Sequence, residues 1–166
     1  MALFCCHFFR DDVLRVKFNN FLFTNVSESV ILRKNGGAAM KYSWIDTELL
    51  QKPSVTKDLQ AEWNWIRYHI GGKMFAAVCL DDATGKPVYI TCKLDPAEGD
   101  FLRRQYKDII PGYYMNKVHW NSVKADGNVP DALLREMLEK SYRLVLGSFS
   151  KKKQRALLEG EKKDAV

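Results

Sequence analysis

From Met40 onward, the alternation of apolar and polar positions predicts an ordered series of helices and strands. Ser43-Trp44-Ile45-Asp46 has the Ser-x-x-acid form of a helix start, with Ser43 as its cap. Ile45 and Leu49 share one face of that helix, and Pro53 stops it. Residues 54–61 read as a polar connection. Glu62 to Ile70 is rich in aromatic and β-forming residues and ends at Gly71-Gly72. Lys73 to Leu80 is apolar on both faces, the pattern of a central strand. Asp81 to Pro87 is a turn. Beyond it Val88, Ile90, Cys92 and Leu94 alternate with Tyr89, Thr91 and Lys93, which completes a hairpin.

The second half is mainly helical. Asp95-Pro96-Ala97-Glu98 supplies a cap, a proline at the first helical position and an acid at the third. Phe101, Leu102, Gln105 and Tyr106 continue that helix, and Pro111-Gly112 breaks it. Val118 to Lys124 reads as a short strand turned by Asp126-Gly127. Asp131 to Leu146 is the clearest helix, with Leu134, Met137, Leu138, Ser141, Tyr142 and Val145 at helical spacing and Gly147 at its end. Ser150 caps a last short helix through Leu158. This order predicts an α+β fold: an antiparallel sheet covered on one face by helices.

Residues 1–39 differ in texture. They hold six of the nine phenylalanines and none of the four tryptophans. Val13 to Phe18 alternates like a strand before the chain drifts into Asn35-Gly36-Gly37-Ala38-Ala39. If Gly36 and Gly37 are encoded GGA-GGN, the message carries a purine-rich ribosome-binding sequence there, and two alanine codons space it from Met40. The expectation is that Met40 is the true start, with residues 40–166 as a single domain. The other reading is a genuine N-terminal extension whose strand joins the sheet edge. Intact mass of the protein from its native host separates the two.

Length and charge narrow the class. A chain of 166 residues with 46% hydrophobic and 28% charged residues is globular rather than disordered. No apolar run reaches the ~20 residues that span a bilayer, so no membrane association is expected. Met1 to Phe9 lacks the basic leading region of a signal peptide. Cys79 and Cys92 lie inside strand-like runs and read as reduced core thiols, which suits the cytoplasm. The cysteines and His7, His69 and His119 fall at no zinc-ligand spacing. The net charge of +6 makes a polyanion the first partner to consider.

No catalytic or nucleotide motif is legible, so neither an enzyme nor a bound cofactor or metal is expected. Gly71-Gly72-Lys73 is followed by Met74, not Ser or Thr, and reads as a bend between strands. Asp81-Asp82 reads as a surface turn, and His69 as a packed core residue. The unusual stretch is Pro111 to Asn121, which mixes aromatic residues, amides, a lysine and a histidine. Tyr114, Asn116 and His119 are candidates for stacking or groove contacts with nucleic acid. Lys86, Lys93, Arg103, Arg104, Lys117 and Lys124 are candidates for phosphate contacts. The same stretch also reads as a structural clamp, with Trp120 buried and Asn116 and His119 holding loop carbonyls. Lys151-Lys152-Lys153 with Arg155 forms a second basic patch, and such runs are usually solvated helix faces.

Gly72-Lys73-Met74-Phe75-Ala76, Asp95-Pro96, the run from Pro111 to Trp120, Val129-Pro130-Asp131 and Ser141-Tyr142 together resemble the MmcQ/YjbR family. The likeness covers roughly residues 41–158, and Asn116-Lys117-Val118-His119-Trp120 is its most specific element. Lys52-Pro53 also fits the family's opening helix. The resemblance implies a small bacterial cytoplasmic protein with a CyaY-like α+β fold and a proposed double-wing arrangement that binds DNA. It supplies no catalytic residues. The acids of this chain are scattered, so the iron binding of the related frataxin fold is not carried over. The expected function is therefore non-enzymatic binding of DNA, largely independent of its sequence. The alternative is a small-molecule or peptide site between the sheet and loop 111–121, lined by Trp63, Trp65, Tyr113 and Trp120.

Overall fold

A computed structural model describes residues 41–159. The expectations about Met40 and residues 1–39 lie outside the described residues. Helix α1 (Ile45–Leu50) leads into strands β1 (Val55–Gln60), β2 (Trp65–Ile70), β3 (Lys73–Leu80) and β4 (Pro87–Lys93). Helix α2 (Pro96–Gln105), strands β5 (Ile109–Pro111) and β6 (Trp120–Lys124), and helices α3 (Asp131–Gly147) and α4 (Lys151–Glu159) follow. The six strands form one sheet in the order β1-β2-β3-β4-β6-β5, with every neighbouring pair antiparallel. The fold is therefore α+β, and β3 is an interior strand.

Local chemistry explains most boundaries. Gly71 and Gly72 have φ of 55° and 82°, the left-handed values that a two-residue hairpin with right-handed strand twist requires. Asp95 caps α2 by accepting a hydrogen bond from the Ala97 amide at 3.0 Å, and Pro96 opens the helix.

Four expectations need correction. Residues 54–61 are not a connection but mostly strand β1. This edge strand pairs only with β2 and is exposed over its four middle residues, so it carries no apolar alternation. The second helix ends at Gln105, and Ile109–Pro111 forms the opposite edge strand β5. The following strand begins at Trp120, because Asn116 to Val118 closes a turn. The cap position of α1 is Trp44, which makes no side-chain cap bond.

One sheet face carries the main core. Tyr68, Ile70, Ala76, Val78, Ile90, Cys92 and Val123 from the strands meet Leu134, Met137, Leu138, Tyr142 and Val145 of α3. Ile45 and Leu49 of α1 and Leu102 of α2 complete it. Burying such side chains stabilises by roughly 1.5–3 kcal/mol each. Polar clips fix the register of helix on sheet. The β2–β3 pairing shifts between Tyr68 and His69, leaving Phe75 opposite no residue. The Ser141 hydroxyl donates to the Phe75 carbonyl at 2.5 Å and accepts from the Lys93 amide at 2.8 Å. The Tyr42 hydroxyl donates to the Val129 carbonyl at 2.8 Å, and that of Tyr142 to the Pro53 carbonyl at 3.1 Å. Among the described residues, no helix is long and apolar enough to cross a membrane.

Candidate ligand-binding site

Among the described residues, no helix packs on the other sheet face. Strand alternation places Trp65, Cys79 and Tyr89 side by side across β2, β3 and β4. Arg67, Ala77, Thr91 and Ser122 form the next row. Trp65, Ala77 and Cys79 are nonetheless buried, packed against Met74, Tyr89 and Met115. Their cover is the loop between β5 and β6.

That loop is anchored at both ends. The Gly112 amide donates to the Trp120 carbonyl at 2.7 Å, and a Cβ on Gly112 would lie 2.7 Å from the Trp120 Cβ, so only glycine fits. The Tyr113 amide donates to Ser122 Oγ at 3.3 Å, and that hydroxyl is 2.9 Å from Thr91 Oγ1. Farther along, Asn116 Oδ1 accepts from the Val118 amide at 2.9 Å and its carbonyl accepts from the Trp120 amide at 3.0 Å.

So tethered, the loop lays its tyrosines on the sheet. The Tyr113 ring stacks on Tyr89, with centroids 5.4 Å apart and planes 21° apart. Tyr114 meets Tyr113 edge-on at 4.5 Å and Trp65 at 5.7 Å, and Trp65 meets Trp63 at 5.8 Å. Trp63, Trp65, Tyr114, Tyr113 and Tyr89 thus form a continuous chain of rings from β2 to β4.

Beside this chain lies a cavity of about 630 Å³. The five rings line it together with Met74, Cys79 and Met115, and Val88 and Leu80 contribute at the hairpin end. Its rim carries Glu62, Asp81 and Asp82, and Arg67 also lines it. Two turns bring the acids there. Asn64, at φ 54°, donates from Nδ2 to the Asp81 carbonyl at 3.2 Å and accepts from the Leu80 amide at 3.0 Å. The Asp81 carboxylate accepts from the Thr84 hydroxyl at 2.7 Å and amide at 2.8 Å, which hold it below the usual carboxylate range. Burial pushes the Cys79 thiol up to about 11 and the Tyr114 hydroxyl above its ordinary value.

Sequence reasoning placed Trp63, Trp65 and Tyr113 at such a pocket, and they line it. Trp120 does not. Its position beside Lys93 in the β4–β6 register buries it under that side chain, whose Nζ lies 5.1 Å from the ring centroid. Tyr89 and Glu62 were not singled out, and Asp81-Asp82 read only as a surface turn, because only the strand register and turn geometry bring them to the cavity.

The residues expected to contact nucleic acid are spread more widely. Lys86 sits in the β3–β4 turn, Lys93 and Lys124 at opposite ends of the β4–β6 pair, and Arg103 and Arg104 on α2. Arg103 is bonded to Asp100 and to the Asn121 side chain on the helix side, and Lys124 lies 3.6 Å from Asp108. Asn116 spends its side-chain oxygen inside its own loop. Tyr114 is in the ring chain, and Lys117 and His119 are exposed in the same loop. Among the described residues, Lys86, Arg104 and Lys117 make no ion pair. His69 is half-buried on the open face beside Thr56 and Met74, rather than in the core. Among the described residues, no group of three or more His, Cys, Asp or Glu side chains is placed to hold a metal ion.

The family model YjbR matches residues 50–144, more than half of the chain. The chain belongs to the YjbR family. It is 26% identical over 117 residues to the uncharacterised protein YjbR of Escherichia coli K12, covering 68% of this chain and 97% of that one. The uncharacterised protein YbdF of E. coli O157:H7 is 36% identical over 93 residues, covering 56% of this chain and 74% of YbdF. The crystal structure of Deinococcus radiodurans DR2400, a DUF419 domain, aligns with a TM-score of 0.64 at 28% identity, covering 72% of this chain and 88% of that one. The YjbR match runs from the end of α1 into α3, so it contains all five rings, the covering loop and the acidic rim.

Proposed function

We propose that this YjbR-family domain is a non-enzymatic binding protein that holds a small organic molecule in the aromatic cavity on its open sheet face. The observation that carries this reading is the ring chain itself. Four of the nine exposed large apolar side chains among the described residues, Trp63, Val88, Tyr113 and Tyr114, gather at this one cavity. Aromatic surface concentrated in a concavity of roughly 300–1,000 Å³ is the usual form of a ligand site. A binding role without bond chemistry is supported by how the nucleophiles are used. Cys79 is buried with a raised pKa, and the hydroxyls of Ser122 and Thr91 are bonded to each other. The free, buried Cys79 and Cys92 support a cytoplasmic setting.

The test is a thermal-shift screen of a metabolite library at low and high salt. A hit that persists in high salt and disappears in Trp63→Ala or Tyr114→Ala supports the reading. Those side chains are 57% and 68% exposed, so both variants keep the core intact. Hits that are indifferent to both substitutions overturn it.

A second reading, sequence-independent DNA binding, is favoured by the cations Lys86, Arg104 and Lys117, which form no ion pair among the described residues. Each phosphate neutralised steepens the log–log salt dependence by ~0.9. Fluorescence anisotropy with a duplex at low salt tests it. Weaker binding by Lys117→Ala combined with Arg104→Ala supports it, and unchanged affinity removes these residues as determinants.

A further inference from the structure

We infer that the molecule held in this cavity is a small organic cation, an ammonium or quaternary ammonium group seated against the tyrosine and tryptophan rings and facing Glu62, Asp81 and Asp82. The inference rests on the ligand reading above and adds the ligand's charge and class.

The first argument is the rings. Every aromatic side chain in the lining is Trp or Tyr, whose π-faces carry the larger negative potential, and a cation within about 6 Å of such a face is attracted to it. Several rings at different inclinations, 21° to 87° between neighbouring planes, present both faces and edges to one volume. An ammonium group can settle against more than one of them there.

Charge is the second argument. The protein as a whole carries +6, yet the rim of this cavity is acidic. Arg67 is the one cation in the lining, and both of its bonded nitrogens reach Asp58 at 2.8 Å, so its charge is already matched. Lys86 shares the hairpin turn with Asp81 and Asp82 but pairs with neither. Thr84 keeps Asp81 ionised, and the charge of Asp82 reaches the ring chain, where it helps raise the Tyr114 hydroxyl after burial. A phosphate or carboxylate ligand would meet three like charges, whereas a cation meets complementary ones.

The third argument separates an organic from a metal cation. Glu62, Asp81 and Asp82 line the cavity, and among the described residues no cluster of His, Cys, Asp or Glu is placed to hold a metal ion. Met74, Met115 and Cys79 line it with the rings, which suits methyl and methylene groups, and these side chains give a hard hydrated cation such as Mg²⁺ or Ca²⁺ no carboxylate or carbonyl oxygen.

Tryptophan fluorescence titration of the full chain tests this with matched pairs: choline against its neutral isostere neohexanol, and butylammonium against butanol. The expected result is saturable quenching by at least one cation, about tenfold or more tighter than its neutral partner. Asp82→Asn combined with Glu62→Gln, both exposed positions, should remove that preference while leaving the melting temperature in place. Binding of a neutral partner as tightly as its cation overturns the inference, as does silence from both cations. If the library screen then yields a neutral or anionic ligand that needs Trp63 or Tyr114, the cavity still binds ligands and only the charge assignment falls. If no molecule of any charge binds there, both readings fall.

Discussion

Ser141→Ala tests how this helix is held on this sheet. Ser141 is wholly buried on α3, where its hydroxyl bridges the carbonyl of Phe75 on β3 and the amide of Lys93 on β4. Phe75 lies at the register shift of the β2–β3 pair, opposite no residue of β2, and its carbonyl accepts from the helix. Alanine removes the bridge and fills no more space, leaving no route for a replacement bond. A buried group left unpaired costs about 1–3 kcal/mol, and the partly buried Lys93 amide adds roughly half as much. Alanine's better helix propensity returns about 0.5 kcal/mol. The net loss should be roughly 1–4 kcal/mol, whose middle value lowers the melting temperature of a domain of this size by about 10 °C. Urea unfolding followed by far-UV circular dichroism reads this as a lower midpoint with an unchanged slope. Ser43→Ala, at an exposed position just before α1, is the matched control. A loss below about 0.5 kcal/mol in Ser141→Ala, equal to that of a surface site, would show that the bridge contributes nothing.

Two further predictions follow from the same geometry. Gly112→Ala should destabilise by about 1–3 kcal/mol and weaken the near-UV signal of the ring chain, because its Cβ would meet Trp120 at 2.7 Å at the root of the tyrosine loop; Gly147→Ala, where a Cβ meets nothing within 4 Å, should not. Glu139 is held below the usual carboxylate range first by its hydrogen bond from Lys52, at 2.5 Å, with Arg143 adding to it. Its stabilisation is therefore complete above its unfolded value of 4.5 and lost as pH falls through the lower folded value. Glu139→Gln should reduce stability at pH 7 and flatten the acid limb of a stability–pH curve, and an unchanged limb would count against the linkage.

Elements with a strong period were legible in the sequence. The α3 pattern, the β3–β4 hairpin and the Asp95-Pro96 helix start all stand where residue spacing put them. The two edge strands were not legible. β1 is solvated on both faces, and three-residue β5 is too short to show any period. The cavity was half legible. Trp63, Trp65 and Tyr113 are conspicuous by composition, but Tyr89 reads locally as the outward side of a half-buried strand. Nothing nearby in the chain reveals that the tyrosine loop folds back over it.

By itself, the sequence determined the α+β class, the helix-facing core and the turns, because periodicity, capping and positive-φ glycines are local rules that each residue obeys with its neighbours. Long-range packing alone settles which sheet face the described helices cover, that Trp120 lies beneath Lys93 instead of in the cavity, and that Glu62, Asp81 and Asp82 line the same cavity. Those outcomes depend on the register between strands distant in the chain and on loop anchoring, where a shift of one residue would turn every side chain to the opposite face.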